Sequence, residues 1–261
     1  MAVIKMNFLS QTLSMQTNVT ICLPSFSFAD LMQGREDVYV PGMKYQVLWL
    51  LHGFSGDDSD YVNFSNIVRY ADDHKLAVVM PPAFNAGYTD QPGERAAKYF
   101  TFVAEELPKL CRAFFPFSDA REDNFVAGLS MGGGGTFKLA MAHPENYAAA
   151  ICMSGAGMDP SKPHPQFGEQ VDDGIEPWSL AAKNVADGKP LPKMYLTCGG
   201  NDAMALVSVK DTHDYLTGLG YDSTYVEIPG YGHEWDFWDL TLRNTIRDWL
   251  PIRHSVIYPE K

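Results

Sequence analysis

The sequence is poor in positive charge, with 20 lysine and arginine residues against 32 aspartate and glutamate residues and a net charge of −12. Nucleic acids and anionic membranes attract basic protein surfaces, so this balance argues against both as partners. Cysteine is also scarce. The four cysteines, Cys22, Cys111, Cys152 and Cys198, are widely spaced and form no C-x-x-C pair. This pattern is typical of buried free thiols in a reducing compartment.

Long apolar segments are missing as well. No run approaches the roughly 20 residues that a membrane-spanning helix needs. Residues 1–7 do not combine a basic start with an apolar stretch of signal-peptide length. We therefore expect a soluble protein of the cytoplasm. Hydrophobic residues still make up 46% of the 261 residues, enough to bury a sizeable core, and we interpret residues 1–261 as a single domain.

Short apolar runs alternate with longer amphipathic stretches along the chain. Near-continuous apolar runs suit strands that helices cover on both faces. The predicted strands are Thr17–Leu23, Gln46–Leu51, Leu76–Met80, Asn124–Leu129, Ala148–Ser154, Met194–Gly199 and Ser223–Ile228. The predicted helices are Asn66–Lys75, Tyr99–Phe114, Thr136–Ala142, Leu206–Leu219 and Asp236–Leu250. This alternation predicts an α/β fold with a mainly parallel central sheet and helices on both faces.

One long segment, Gly155–Pro192, contains no strand candidate and is rich in proline, glycine, aspartate and lysine. A connection of this length inside a domain is either functional or disordered. A short helix is expected within it at Pro177–Val185. We interpret the segment as a lid inserted over the carboxyl edge of the sheet, where open α/β folds bind ligands.

A candidate nucleophile follows the predicted strand Asn124–Leu129. Residues 128–132 read Gly-Leu-Ser-Met-Gly and match G-x-S-x-G between a strand and a helix, which places Ser130 at a sharp, exposed bend. The alternative is an ordinary serine in a glycine-rich turn. A phosphate-binding loop is not supported, because Gly134 stands where a P-loop needs lysine and Phe137 where the last glycine of G-x-G-x-x-G should be.

A serine hydroxyl needs a base, and that base needs an acid to orient it. His233 is the candidate base, because it lies in a glycine-rich loop after the last predicted strand; a plain surface histidine is the alternative. Asp202 follows the strand that ends at Gly199 and is the candidate acid, with helix N-capping as its alternative role. Asp159, after the preceding strand, is the competing acid. No second histidine completes H-E-x-x-H after His233, so no metal is expected.

Acyl transfer also needs two backbone N–H groups to hold the oxyanion. Met131 follows the nucleophile and provides one candidate donor, and Phe54 in the loop His52–Gly56 provides the other. His52 is interpreted as a structural residue that holds this loop, and the acidic run Asp57–Asp60 as a solvated loop. Candidate apolar walls of the substrate pocket, with core packing as the alternative for each, are Trp178, Phe167, Trp235 and Trp238.

Four sequence blocks resemble the esterase D branch of the α/β-hydrolases, which includes formylglutathione hydrolases, tributyrin esterases and cinnamoyl or feruloyl esterases. The blocks are residues 49–56 (WLLHGFSG), 127–133 (AGLSMGG), 198–202 (CGGND) and 232–235 (GHEW). The last block is most similar to the tributyrin-esterase subgroup. The resemblance implies Ser130, Asp202 and His233 as catalytic triad, with Phe54 and Met131 at the oxyanion hole.

The resemblance therefore implies a serine carboxylesterase that works through an acyl-enzyme without metal or cofactor. A closed lid limits the depth of the pocket, and aromatic walls suit acyl chains or a planar aromatic acid, so we expect short-chain acyl or small aromatic-acid esters. The expected partner is a small ester molecule, and self-association into a homo-oligomer stays open. The alternatives are an acyltransferase of the same fold, an S-formylglutathione hydrolase-type thioesterase and a non-catalytic binding module. Formylglutathione hydrolases usually carry His and Ser where this chain has Leu129 and Glu234, which argues against that substrate.

Overall fold

A mixed sheet of eight strands organises the protein, whose computed structural model describes residues 1–36, 38–93, 96–157 and 173–259. The strands are β1 Ala2–Ser10, β2 Met15–Leu23, β3 Val47–Leu51, β4 Ala77–Met80, β5 Asn124–Leu129, β6 Ala149–Met153, β7 Lys193–Gly199 and β8 Ser223–Ile228. Their spatial order is β1-β2-β4-β3-β5-β6-β7-β8. The pairs β1–β2 and β2–β4 are antiparallel, and all later pairs are parallel. The predicted α/β fold with a mainly parallel sheet is confirmed.

Helices connect the strands. They are α1 Phe28–Met32, α2 Asp60–Phe64, α3 Ile67–Asp73, α4 Tyr99–Thr101, α5 Leu107–Phe114, α6 Met131–Ala142, α7 Pro177–Ala186, α8 Leu206–Leu219 and α9 Trp235–Asn244. Two π-helical turns extend these elements, Phe102–Glu106 between α4 and α5 and Thr245–Trp249 after α9. Among the described helices, none has the length and apolar character to cross a membrane.

The continuous apolar runs arise because the central strands have a core on each face. In β3, Val47, Trp49 and Leu51 pack into one hydrophobic cluster, whereas Leu48 and Leu50 pack into the other. Successive strand residues point to opposite faces, so burial of both faces requires an apolar residue at every position. All four cysteines are buried and free, as expected, and burial raises the pKa of Cys22 and Cys111 to about 12.

Three sequence expectations need correction. The first strand, β1, was not predicted: its residues alternate between exposed and partly buried, and within the described residues it pairs only with β2, at the edge of the sheet. Helix α6 begins at Met131 rather than at Thr136. Glycines disfavour a helix, but their lack of side chains lets this first turn pack closely against the end of β3. A Cβ on Gly132 would lie 2.2 Å from the carbonyl oxygen of Leu51.

The third correction concerns the acidic run Asp57–Asp60, which is not simply a solvated loop. Asp58 is buried, and its carboxylate accepts a hydrogen bond of 2.6 Å from the hydroxyl of Thr20 on β2. Asp60 already belongs to α2. This part of the run therefore ties the loop after β3 to the sheet.

Candidate active site

The carboxyl ends of the parallel strands bring the candidate residues together. Ser130 follows β5 directly, Asp202 follows β7 after two residues, and His233 follows β8 in the loop that leads into α9. Parallel strands end at the same edge of a sheet, so residues far apart in sequence meet there. Of the two candidate acids, Asp202 is placed beside His233, and Asp159 lies outside the described residues.

Ser130 has a backbone conformation that few residues other than glycine adopt, with φ 51° and ψ −118°. The turn is held on both sides. The Ser130 N–H donates to the carbonyl of Met153 at the end of β6 (2.8 Å), and the Ser130 carbonyl accepts from the N–H groups of Gly133 (2.9 Å) and Gly134 (3.2 Å). This bend separates the hydroxyl from the strand and directs it toward His233.

A continuous chain of hydrogen bonds links the three side chains. Ser130 Oγ lies 2.9 Å from His233 Nε2, and His233 Nδ1 lies 2.8 Å from Asp202 Oδ2. A carboxylate accepts but does not donate, which assigns the imidazole proton to Nδ1 and leaves Nε2 to accept from the serine hydroxyl. This arrangement can deprotonate Ser130 and stabilise the imidazolium that results.

Asp202 is held as an ionised group inside the protein, where it is 1% exposed. Its Oδ1 accepts from the N–H groups of Met204 (3.1 Å) and Ala205 (3.2 Å). Burial by itself would raise the pKa of Asp202, but the hydrogen bond and charge of His233, with further donors, outweigh it and keep the pKa below its usual value. The carboxylate is therefore available to orient His233.

The loop after β3 borders Ser130. A Cβ placed on Gly53 would lie 3.5 Å from the Cβ of Ser130. His52 holds the loop as expected: Nδ1 bonds the carbonyl of Gly53 (2.7 Å), and Nε2 accepts from the N–H of Ala83 (2.8 Å). Burial lowers the pKa of His52, which keeps the ring neutral in this role. Phe54 lies in this loop with its side chain 66% exposed.

The four candidate wall residues have different surroundings. Trp235 is partly buried and packs its ring against Phe64 on α2, at 5.3 Å, and against Trp238, at 5.3 Å. Trp238 is buried, and its ring meets that of His233 edge-on at 5.1 Å. Trp178 belongs to the core, where it is 9% exposed and stacks on Tyr215 at 4.2 Å. Phe167 lies outside the described residues.

Two features near the site were not found from the sequence. Ser154, at the end of β6, accepts a hydrogen bond from Trp238. Lys138 on α6 forms a buried ion pair of 2.6 Å with Asp173, the first described residue of the returning arm of the insertion. The sequence signals each of these features only by a single serine or lysine in an otherwise apolar stretch. Such a residue does not reveal its hydrogen-bond or ion-pair partner.

Comparison with known proteins identifies relatives over nearly the whole chain. Residues 10–248 match the model of the Putative esterase family. An acetyl esterase of Caldicellulosiruptor saccharolyticus is 28% identical over 270 residues, covering 96% of this chain and 98% of that protein. The fluorophosphonate-binding serine hydrolase F of Staphylococcus aureus superposes with a TM-score of 0.78 at 30% identity, covering 94% of this chain and 97% of that one. An S-formylglutathione hydrolase of the same organism superposes with a TM-score of 0.77 at 29% identity, again covering 94% of this chain and 97% of that one.

The fold and these relatives define a carboxylic ester hydrolase of the serine-hydrolase class. The chain belongs to the Putative esterase family. The expected esterase resemblance is thereby confirmed.

Proposed function

We propose that this esterase hydrolyses short-chain acyl or small aromatic-acid esters through an acyl-enzyme formed on Ser130. The observation that carries the proposal is the hydrogen-bonded chain from Ser130 Oγ to His233 Nε2 and from His233 Nδ1 to Asp202. Its distances are those at which a base can take the serine proton and be oriented by a buried carboxylate.

The residues have distinct roles in the two half-reactions. His233 Nε2 takes the Ser130 proton while Oγ attacks the ester carbonyl, and the N–H groups of Phe54 and Met131 hold the resulting oxyanion. His233 then protonates the departing alcohol, leaving the acyl group on Ser130. Water, deprotonated by His233, attacks this acyl-enzyme, and His233 returns the proton to Ser130 Oγ as the acyl–oxygen bond breaks and the acid leaves. Each proton therefore passes through one imidazole nitrogen, and no metal or cofactor takes part.

Two described features support a small acyl pocket. The insertion Gly155–Pro192 leaves the sheet beside the nucleophile, since a Cβ on Gly155 would lie 2.1 Å from the Ser130 carbonyl oxygen. It returns to α6 through the Lys138–Asp173 ion pair. One arm is fixed next to the Ser130 turn and the other is fixed to α6, and we propose that this insertion acts as a lid that restricts the length of the acyl chain.

The test is a panel of p-nitrophenyl esters from acetate to octanoate, together with methyl ferulate and S-formylglutathione. We expect kcat/KM to peak between acetate and butyrate, with Ser130→Ala lowering turnover by several orders of magnitude because the three side chains act as a unit. A fluorophosphonate should label the wild type at Ser130 and fail to label the variant. Labelling at a different serine would refute the assigned nucleophile.

The same panel separates the alternatives. A preference for S-formylglutathione over all oxygen esters would favour the thioesterase function of the Staphylococcus aureus relative. Faster release of p-nitrophenol on addition of an alcohol, with an ester as product, would indicate acyl transfer. A peak at octanoate would show that the insertion opens for long chains. A location in the cytoplasm, which the four free buried cysteines favour, is tested by cell fractionation.

A further inference from the structure

Ser154 occupies a constrained position beside the nucleophile turn. It follows β6, is 2% exposed and has a positive φ of 48°. Its N–H donates to the carbonyl of Thr197 on β7 at 2.8 Å, while the preceding carbonyl, that of Met153, accepts from Ser130 N. A side chain at positive φ costs folding free energy that glycine would avoid, so a serine here indicates a role for its side chain.

The Ser154 hydroxyl accepts a hydrogen bond from a residue that also touches the base. The indole N–H of Trp238 donates to Ser154 Oγ at 3.1 Å. The same indole packs against the His233 ring, with ring centres 5.1 Å apart and planes at 90°. An indole nitrogen can only donate, so the oxygen of Ser154 accepts here and its own proton points to another group.

The indole connects Ser154 to the triad through His233, whose Nδ1 lies 2.8 Å from Asp202 Oδ2. The nearby Ser154 hydroxyl also helps to lower the pKa of Asp202, after the contributions of His233. Both side chains are buried, so little water competes for these positions. The contacts form a chain, in which Ser154 accepts from Trp238, Trp238 packs on His233, and His233 bonds Asp202.

We propose that Ser154 and Trp238 are positioning residues that fix the Asp202–His233 pair relative to Ser130, an inference that rests on the proposed esterase mechanism. Neither belongs to the triad. Asp202 is fixed by two backbone donors on Oδ1, and Ser154 fixes the indole of Trp238 from the end of β6. Trp238 restricts rotation of the imidazole from one side. A chain of contacts of this kind limits the angular freedom of His233, to which proton transfer is sensitive.

The test uses Trp238→Phe, which keeps an aromatic ring but removes the N–H, and Ser154→Ala, which removes the hydroxyl. Each should lower kcat about tenfold, the effect of one hydrogen bond of ordinary strength, with KM changed less than twofold. Because both act through one contact, the double variant should be no slower than the slower single variant. Ser154→Gly removes the hydroxyl and also relieves the positive φ, so it should fold at least as well as Ser154→Ala and be equally slow.

Matched controls come from the opposite end of the sheet. Ser118 is also buried and donates to a buried carboxylate, that of Asp123, at 2.7 Å. Ser118→Ala should lower the melting temperature and leave kcat unchanged. Trp249→Phe, at a tryptophan that packs on Tyr195, controls for loss of indole volume.

A spectroscopic readout separates this inference from the proposed function. The proton on His233 Nδ1, bonded to Asp202, should give a downfield resonance that shifts or broadens in Ser154→Ala and Trp238→Phe and stays in place in Ser118→Ala. A wild type without esterase activity would refute the proposed function, and a moved resonance would still support the chain of contacts from Ser154 to His233. Unchanged kcat and resonance in the folded variants, or losses that multiply in the double variant, would overturn the inference.

Discussion

Replacement of Ser130 by glycine and by alanine should separate the conformational cost of the nucleophile turn from the loss of its hydroxyl. Ser130 has φ 51° and ψ −118°, a combination that glycine adopts without a steric penalty. Ser130→Ala removes the hydrogen bond to His233 but keeps a Cβ in the strained position. Ser130→Gly removes both the hydrogen bond and the strain. We therefore expect the glycine variant to be the more stable of the two inactive proteins.

The expected difference follows from two opposing effects. A residue other than glycine in a sparsely populated region of this kind costs about 1–3 kcal/mol. Glycine loses part of this advantage, because it raises the conformational entropy of the unfolded chain. That effect lowers the free energy of unfolding by about 0.4–1 kcal/mol. The glycine variant should therefore be more stable by about 1 kcal/mol, or roughly 2–4 °C in melting temperature for a chain of this size.

The assay is calorimetric unfolding of the wild type and both variants at one scan rate, with p-nitrophenyl butyrate turnover to confirm that both variants are inactive. Ser118 provides the control, because its φ is not positive. There the order should reverse, and Ser118→Gly should melt below Ser118→Ala. A Ser130→Gly protein that melts at or below Ser130→Ala would show that the turn stores no strain that glycine relieves.

Three further predictions concern the surroundings of the nucleophile. Asp202→Asn should lower kcat for p-nitrophenyl butyrate by about three orders of magnitude or more, because an amide does not select the required imidazole tautomer; near-normal turnover would exclude Asp202 as the acid. Lys138→Met removes the ion-pair partner of the Asp173 carboxylate, which keeps hydrogen bonds from the N–H groups of Asp90 and Ile175, and should cost about 1–3 kcal/mol in urea unfolding, with part recovered on adding Asp173→Asn. Gly155→Ala places a Cβ 2.1 Å from the Ser130 carbonyl oxygen and should slow fluorophosphonate labelling about tenfold or more; an unchanged rate would show that the turn can shift freely.

Burial on both faces made the central strands visible in the sequence. All six residues of β5 are buried, and its bounds agree with the predicted Asn124–Leu129, since every buried position has to be apolar or able to pack. The bounds of β8 also agree with the predicted Ser223–Ile228, although this strand lies at the edge of the sheet and its residues are partly buried or exposed. The edge strand β1 has one exposed and one partly buried face, so it contains no continuous apolar run. Its pairing with β2, rather than its own composition, determines that it is a strand.

Helix α6 shows where local propensity fails. Glycines at positions 132–135 predict a turn, and the expected helix therefore began at Thr136. Close approach of α6 to β3 requires the missing side chains, since a Cβ on Gly132 would overlap the carbonyl of Leu51. Packing against the sheet stabilises this first turn, and no window of local sequence contains that contact.

The sequence by itself determined the strand–turn–helix motif around Ser130, because G-x-S-x-G encodes the sharp bend through neighbouring residues. It also determined which loops carry Asp202 and His233. Only the tertiary structure decided that these side chains lie within hydrogen-bond distance, that Trp178 belongs to the core, and that Ser154 is part of the same network. The physical reason is that a hydrogen bond or ring contact across strands depends on the twist and register of the sheet, which bring together Ser130 and His233, 103 positions apart.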